Sequence, residues 1–238
     1  MRFIAGLLTA IAFTAIFRVP IKRAPVAFYL VVALLQVLFI SFSYVRLPLW
    51  LYMYFIALFQ SNTLAMGFFT IVMFIGVFDE SSVLRRSLAP IRAELSIIAS
   101  ILCVGHIVRY GAYYLGQLLS AQALIPDFRF WAAVLATLPV ILLIPLAITS
   151  VKLIRARMNN RSWVLVQRLA YPFFGLVFVH ILFYLLSPAL SGNTSAIISV
   201  SAYLVVGISY AALRVRHHLR TRKAEPVVPA ALEAEAVS

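Results

Sequence analysis

Two histidines stand inside long apolar runs of this 238-residue chain, where an ionisable side chain is rare unless it has a function. His106 lies in the run Leu95–Tyr114 and His180 in the run Arg161–Leu186. Each is about twelve residues from the basic border of its run, or about 18 Å at 1.5 Å per residue. Two imidazoles at one depth can hold a single metal centre, and neutral imidazole is the usual axial ligand of heme iron. A buried histidine is also often a hydrogen-bonded packing residue, and spacing alone leaves both interpretations open.

The composition indicates a polytopic membrane protein. Hydrophobic residues make up 64% of the chain and charged residues 11%, well outside the range of soluble domains. The net charge of +13 falls in short clusters between the apolar runs, which is typical of loops on the inner side of a membrane. We therefore expect contact with anionic lipids and no nucleic-acid partner. Cys103 is the single cysteine, so a disulfide framework or a thiolate metal site is not expected.

The apolar runs predict an all-α, polytopic transmembrane helical bundle of about seven spans. The predicted spans are Phe3–Phe17, Val26–Val45, Asn62–Phe78, the run with His106, Phe130–Ser150, the run with His180, and Thr194–Leu213. The first run can pass for a cleaved signal peptide, which would leave six, but the basic residues Arg18, Lys22 and Arg23 after it favour a retained span.

Seven spans place every basic cluster on one side. This predicts a multi-pass protein of the inner (plasma) membrane, with the amino terminus outside and the C-terminus in the cytoplasm. Residues 1–213 form the predicted membrane domain, and residues 214–238 a basic segment followed by a disordered tail. A glycine-rich phosphate-binding motif is absent, so no nucleotide-binding module is predicted.

Several residues near the histidines are candidates for a shared cavity. Arg109 lies one helical turn beyond His106, where it can neutralise a heme propionate or simply extend to the membrane surface. The small residues Cys103, Gly105 and Gly175 leave room for a flat macrocycle. Tyr110 and Tyr184 each follow a histidine by four residues, and either line the cavity or pack as ordinary aromatic residues.

Two segments carry a family resemblance. The stretch Pro145–Leu186 has a Thr-Ser at the end of one span, a basic loop, a tryptophan and then the histidine helix. It resembles ferric reductase-like transmembrane domains, which are related to the heme-binding membrane subunit of the bacterial methionine sulfoxide reductase system. Leu84–His106 is similar to the other histidine helix of that family, and the likeness covers about residues 62–213. The resemblance implies that His106 and His180 are the metal ligands of a heme b.

The chain departs from the family pattern at two positions. Gln167 stands where the family has its first histidine, and Arg92 lies fourteen residues before His106. Relatives with two stacked hemes have histidines near both places, so we expect one heme in this chain. Arg92 and Gln167 remain candidate cofactor-binding residues, and Arg92 can contact an anionic cofactor such as a flavin or the heme propionates.

The resemblance implies a membrane b-type cytochrome that passes electrons to an extracytoplasmic acceptor. The chain would be an electron-transfer subunit of an oxidoreductase, with separate donor and acceptor proteins or a quinol as partners. A flavin or a quinone is left open as a further cofactor. The alternative is a non-redox membrane transporter or assembly subunit in which the two histidines and Arg109 line a polar path.

Overall fold

The computed structural model describes residues 1–41, 48–119 and 128–224, and every regular element in these ranges is helical. The helices are α1 Arg2–Arg23, α2 Pro25–Ile40, α3 Leu49–Phe55, α4 Thr63–Ile75, α5 Val83–Leu88, α6 Arg92–Leu119, α7 Phe128–Ser150, α8 Lys152–Arg155, α9 Asn160–Gln167, α10 Ala170–Leu190 and α11 Thr194–Ala224. A π-helical turn, Ile56–Gln60, follows α3, and a 3₁₀ turn, Ala89–Ile91, precedes α6. The predicted all-α bundle is confirmed.

Five of these helical segments are long and apolar enough to cross a membrane, and one bent pair makes a sixth. The bent pair is Leu49–Gln60 with Thr63–Ile75, which meet at 50°. The helix α2 has 16 residues, about 24 Å at 1.5 Å per residue, against a hydrocarbon core of about 30 Å. The predicted count of seven spans therefore depends on α2, whose predicted extension to Val45 lies outside the described residues. The predicted disordered tail beyond residue 224 also lies outside them.

The first helix is a central part of the bundle. It packs in parallel on α4, where Gly6 faces Thr63 and Gly67 faces Ala10. A β-carbon at Gly67 would stand 2.8 Å from the Ala10 Cβ and 2.9 Å from the Gly6 carbonyl oxygen. Small residues four apart allow two membrane helices to approach at the backbone, and here both helices supply such a pair. The core accordingly includes Phe3 and Ile21 of α1, both fully buried.

One end of the bundle, which we call the basic end, carries the basic clusters. Lys152 of α8 pairs with the buried Glu94 of α6 at 2.7 Å, and Arg220 of α11 pairs with Asp79 at 3.2 Å. Arg92 and Arg214 line one small cavity at this end. The basic C-terminus of α1 lies at the same end because α1 runs parallel to α4. These contacts place the basic clusters at one end of the bundle, as the sequence predicts.

The opposite end, which we call the histidine end, is closed by the first and last helices. The amino group of Met1 donates a hydrogen bond to the Ser199 hydroxyl at 3.1 Å, and the Phe3 ring stacks on Tyr203 with centroids 3.9 Å apart. The Arg2 guanidinium donates to the Ser61 hydroxyl at 3.3 Å, which ties the start of α1 to the start of α4.

The histidine helix α10 differs in its bounds from the predicted span. A break at Arg168 and Leu169 separates α9 from α10, because Pro172 has no N–H to pair with the Arg168 carbonyl. Gln167 therefore ends α9 instead of lying on the same straight helix as His180. At its other end α10 continues through Pro188 to Leu190, past the predicted boundary at Leu186.

Candidate functional site

His106 projects from the second half of α6 and is held by a main-chain carbonyl from another element. Its Nδ1 lies 3.0 Å from the carbonyl oxygen of Gln60. Gln60 is the last residue of the π-helical turn, where carbonyl groups lose their partners within the helix. The turn between α3 and α4 therefore presents an acceptor to the imidazole.

Asn62 fixes the backbone of that turn. It adopts the left-handed conformation with φ of 52°, which asparagine tolerates better than most residues with a β-carbon. Its side-chain amide donates to the Cys103 sulfur at 3.1 Å, and the Thr63 hydroxyl donates to the Ala57 carbonyl at 2.6 Å. Because Cys103 lies one turn before His106 on α6, these bonds connect the turn directly to the helix that carries the histidine.

His180 is held in the same way by a different helix. Its Nδ1 lies 2.7 Å from the carbonyl oxygen of Ala132 in α7. A backbone carbonyl has two lone pairs, so Ala132 can accept this bond without leaving its own helix.

The two hydrogen bonds determine the tautomer of each imidazole. A carbonyl oxygen only accepts, so Nδ1 carries the proton in both rings and Nε2 keeps its lone pair. Metal-bound histidines in proteins commonly donate the other ring N–H to a carbonyl or carboxylate in this way. His106 and His180 are therefore both in the form that can bind a metal through Nε2.

The two histidine helices, α6 and α10, pack against largely different neighbours. Helix α6 packs on α2, α4 and α7, whereas α10 packs on α7 and α11, and direct backbone contact between α6 and α10 is sparse at most. The Gln60 turn at the start of α4 supports one histidine and α7 supports the other. Helix α7 contacts both α6 and α10 and so connects the two histidine helices.

The number of protein ligands limits the kind of metal centre that can form here. In the described ranges, no group of three or more His, Cys, Asp or Glu side chains is assembled. Two imidazoles are too few for a zinc site, which takes three or four protein ligands. They suffice for iron whose equatorial ligands come from a macrocycle, since such iron needs only axial ligands from the protein.

Tyr110 packs directly on the first histidine. Its ring centroid is 4.7 Å from that of His106. Gln60 thus holds one side of the imidazole through its main-chain carbonyl, and Tyr110 packs against the ring. Tyr184 lies one turn beyond His180 in α10 and is exposed.

The Arg109 side chain is directed towards α2. Its guanidinium carbon lies 5.3 Å from the centre of the Phe39 ring. A cation–π contact at an exposed position contributes about 0.5–1 kcal/mol, so a stronger ionic partner can displace it.

One expectation about the small residues is wrong. A β-carbon at Gly105 would overlap the Gln36 side chain of α2, so the space beside Gly105 holds that amide and is not free for a macrocycle. The Gln36 amide donates to the Leu102 carbonyl at 2.9 Å. The Cys103 sulfur accepts the hydrogen bond from the Asn62 amide, so the space beside it is filled as well. Gly175 is different, because nothing lies within 4 Å of a β-carbon placed there.

Arg92 and Gln167 lie together, but away from the histidines. Both line the cavity at the basic end, and Arg92 precedes His106 by fourteen residues, or about 21 Å along α6. Arg92 therefore lies about four helical turns from His106, at the other end of α6. Gln167 donates to the Thr149 hydroxyl at 3.0 Å, which attaches it to the end of α7.

Gln60 and Asn62 support the site but were not among the residues predicted from the sequence. Both belong to the polar segment Gln60–Thr63, which interrupts the charge-free stretch between Leu47 and Phe78. A polar interruption in an apolar run signals a turn, but it does not reveal which histidine the turn contacts.

The chain is similar to known proteins over part of its length. Residues 61–178, about half of the chain, match the family model described as ferric reductase like transmembrane component. A protein of Treponema pallidum (strain Nichols), described as uncharacterized, is 38% identical over 163 residues, which cover 68% of this chain and 45% of that protein. The chain thus spans less than half of that relative's length. No solved structure matches the chain.

Proposed function

The chain belongs to the ferric reductase-like transmembrane family, and on that premise we propose that it is a b-type cytochrome in which His106 and His180 hold a single heme. The family supports a membrane electron-transfer role, and the matched region contains His106 and ends two residues before His180. The observation that carries the heme assignment is the matched pair of imidazoles, each with Nδ1 bound to a main-chain carbonyl and Nε2 left for iron.

Heme when bound would supply a one-electron couple at its iron. The residues of the chain would orient the ligands, neutralise charge and exclude water. The carbonyls of Gln60 and Ala132 orient the imidazoles and make Nε2 of each ring a stronger electron-pair donor to iron. Tyr110 limits rotation of the His106 ring. Arg109, exchanging its Phe39 contact for an ionic one, would neutralise a propionate at the surface. The surrounding apolar helices exclude water from the centre.

The direction of transfer follows from the charge of the two ends. We assign the basic end to the cytoplasm, because basic residues are retained on that side of a plasma membrane. The histidine end then faces outward, with the C-terminus inside. Electrons from a separate cytoplasmic donor or from a quinol would leave to an extracytoplasmic acceptor protein or metal ion. The chain in this proposal is the electron-transfer subunit of an oxidoreductase.

An absorption spectrum tests the proposal. The protein is expressed with ample heme, purified in detergent, and measured oxidised and after dithionite reduction. We expect a Soret band and, on reduction, the sharp α-band of a low-spin centre with two nitrogen ligands. Purified protein without either band would overturn the cytochrome assignment and favour a non-redox membrane protein whose histidines only pack.

A further inference from the structure

The cavity at the basic end is lined by polar groups from four parts of the chain. Arg92 starts α6, Gln167 ends α9, Tyr171 lies in the first turn of α10, and Tyr210 and Arg214 lie in α11. Their side chains converge beside Gly76, whose lack of a side chain leaves the Arg92 guanidinium close to the backbone. The space they share is about 20 Å³ and partly open to the surface. It admits one or two oxygen atoms and no ring system.

Within the described residues, no carboxylate balances the positive charge of this cavity. In the part of the chain that the structure describes, the carboxylates are Asp79, Glu80 and Glu94, and each pairs with a different cation, namely Arg220, Arg85 and Lys152. Neither Arg92 nor Arg214 has a carboxylate within 4.0 Å among those residues. The two guanidinium groups are close enough to each other for their charges to repel.

The environment of each arginine makes an anionic partner favourable. Arg214 lies over the Tyr171 ring, with 4.6 Å between its guanidinium carbon and the ring centre, so its N–H edge is directed away from that face. A guanidinium offers several N–H donors in one plane, which suits the oxygen atoms of a phosphate. Gln167 uses one amide hydrogen for Thr149 and retains another, and the tyrosine hydroxyls add further donors.

We propose that Arg92 and Arg214 form a binding site for a phosphate group at the basic end of the bundle. Gln167, Tyr171 and Tyr210 complete the set of donors. Two sources can provide the same chemistry: the headgroup of an anionic phospholipid, whose phosphate lies at the level of a membrane surface, and a soluble phosphate compound from the aqueous side. The site does not depend on heme at the histidine end, which is about 21 Å away along α6.

The test uses the full chain in nanodiscs and has one arm for each source. In the lipid arm, discs of phosphatidylcholine contain a small fraction of phosphatidylglycerol, and native mass spectrometry counts the phosphatidylglycerol retained on the ejected protein. In the soluble arm, discs of phosphatidylcholine alone are titrated with inorganic phosphate, and the thermal unfolding of the protein is compared with a chloride titration of equal ionic strength.

Two variants and a matched control make the result specific. The variant R92Q with R214Q removes both cavity charges, and the control R86Q with R216Q removes two arginines from the same end that do not line the cavity. We expect the cavity variant to bind at least about tenfold less phosphatidylglycerol or phosphate, since charged hydrogen bonds are the strongest of the set. The control retains the binding of the unmodified protein. If the double variant does not fold, R214K keeps the charge, loses the planar donor set, and is expected to bind more weakly.

Each outcome decides the proposal. Selective loss of phosphatidylglycerol assigns the site to a lipid headgroup, and selective loss of the phosphate-dependent stabilisation assigns it to a soluble compound. Equal loss in the cavity variant and the control, or no binding in either arm, would overturn it. The optical spectrum of the same samples is an independent readout, because failure of the heme assignment would appear there and leave this result unchanged.

Discussion

His106 and His180 are each held through Nδ1 by a main-chain carbonyl, which leaves Nε2 of both rings with its lone pair. Spacing and membrane depth made the two histidines candidates, because an imidazole in an apolar run is unusual. Their supports, the carbonyls of Gln60 and Ala132, could not be predicted, since every residue has a carbonyl and only the fold decides which one an imidazole meets. For the same reason Gly105 was misjudged: its neighbour Gln36 comes from a helix almost seventy residues earlier.

The first prediction concerns the histidines themselves. Replacing either His106 or His180 with alanine removes one of the two proposed heme ligands, while the apolar runs that specify insertion stay the same. We expect each variant to insert normally and to lose the low-spin heme spectrum, measured as heme per purified protein and as the reduced α-band.

The matched control replaces two histidines outside the site. His217 and His218 lie near the end of α11 at the basic end, so H217A with H218A should retain the heme content and the spectrum. Unchanged heme in both single-site variants would contradict ligation by this pair.

The second prediction concerns Asn62. A left-handed backbone costs residues with an ordinary β-carbon about 1–2 kcal/mol, whereas glycine adopts it freely. We expect N62A to lower the thermal stability of the detergent-solubilised protein and to broaden the low-spin signal in electron paramagnetic resonance, because the Gln60 carbonyl shifts. N62G loses only the bond to the Cys103 sulfur and should remain near the unmodified protein. Equal effects of the two substitutions would show that backbone conformation is not what Asn62 contributes.

At the scale of elements, the sequence predicted helices better than it predicted their ends. Apolar length located α1, α6, α7, α10 and α11, because a membrane span needs about twenty apolar residues. The 50° bend between the α3 segment and α4 was not foreseen, since it depends on a left-handed residue and a π-helical turn inside an uncharged stretch. Pro172 explains the break between α9 and α10. A proline in a membrane helix does not by itself determine whether the helix stops or continues, so the break could not be predicted.

The third prediction tests the close approach of α1 and α4. G67A places a β-carbon within 3.0 Å of Ala10 and of the Gly6 carbonyl, so the helices must separate. We expect a loss of about 1–3 kcal/mol, typical of overpacking, seen as a lower unfolding temperature in detergent. The same substitution at Gly111 of α6 meets nothing within 4 Å and should be neutral or slightly stabilising. If G67A were as stable as G111A, the helices would not be held at this distance.

For the whole molecule, the fourth prediction is the number of hemes. A second centre near Arg92 and Gln167 would need ligands and space, and the cavity there has about 20 Å³ and no imidazole among its lining residues in the described chain. We expect a pyridine hemochrome assay to return one heme per chain. A value of two would show that the basic end opens in a way that brings other ligands together.

The fifth prediction is the orientation of the bundle. Reporter fusions at Asn160 and after Ser238 should read cytoplasmic, and one at Asn193, in the turn before α11, should read external. The charge pattern predicts that the basic clusters share a side, and packing brings them to one end, but only such fusions tell which compartment that end faces. A cytoplasmic reading at Asn193 would reverse the proposed path of electrons.

Contact between the first and last helices has a consequence for biogenesis. Phe3 stacks on Tyr203, and Met1 reaches Ser199 across 198 positions of the chain. A ribosome that adds 5–20 residues per second needs about 10–40 s to make that interval. During this time the Phe3 face of α1 has no partner from α11 and contacts lipid or the insertion machinery instead. A truncated chain that lacks α11 would keep this face without its protein partner. We expect membrane proteases to degrade the truncated chain faster than the full chain in a pulse–chase experiment.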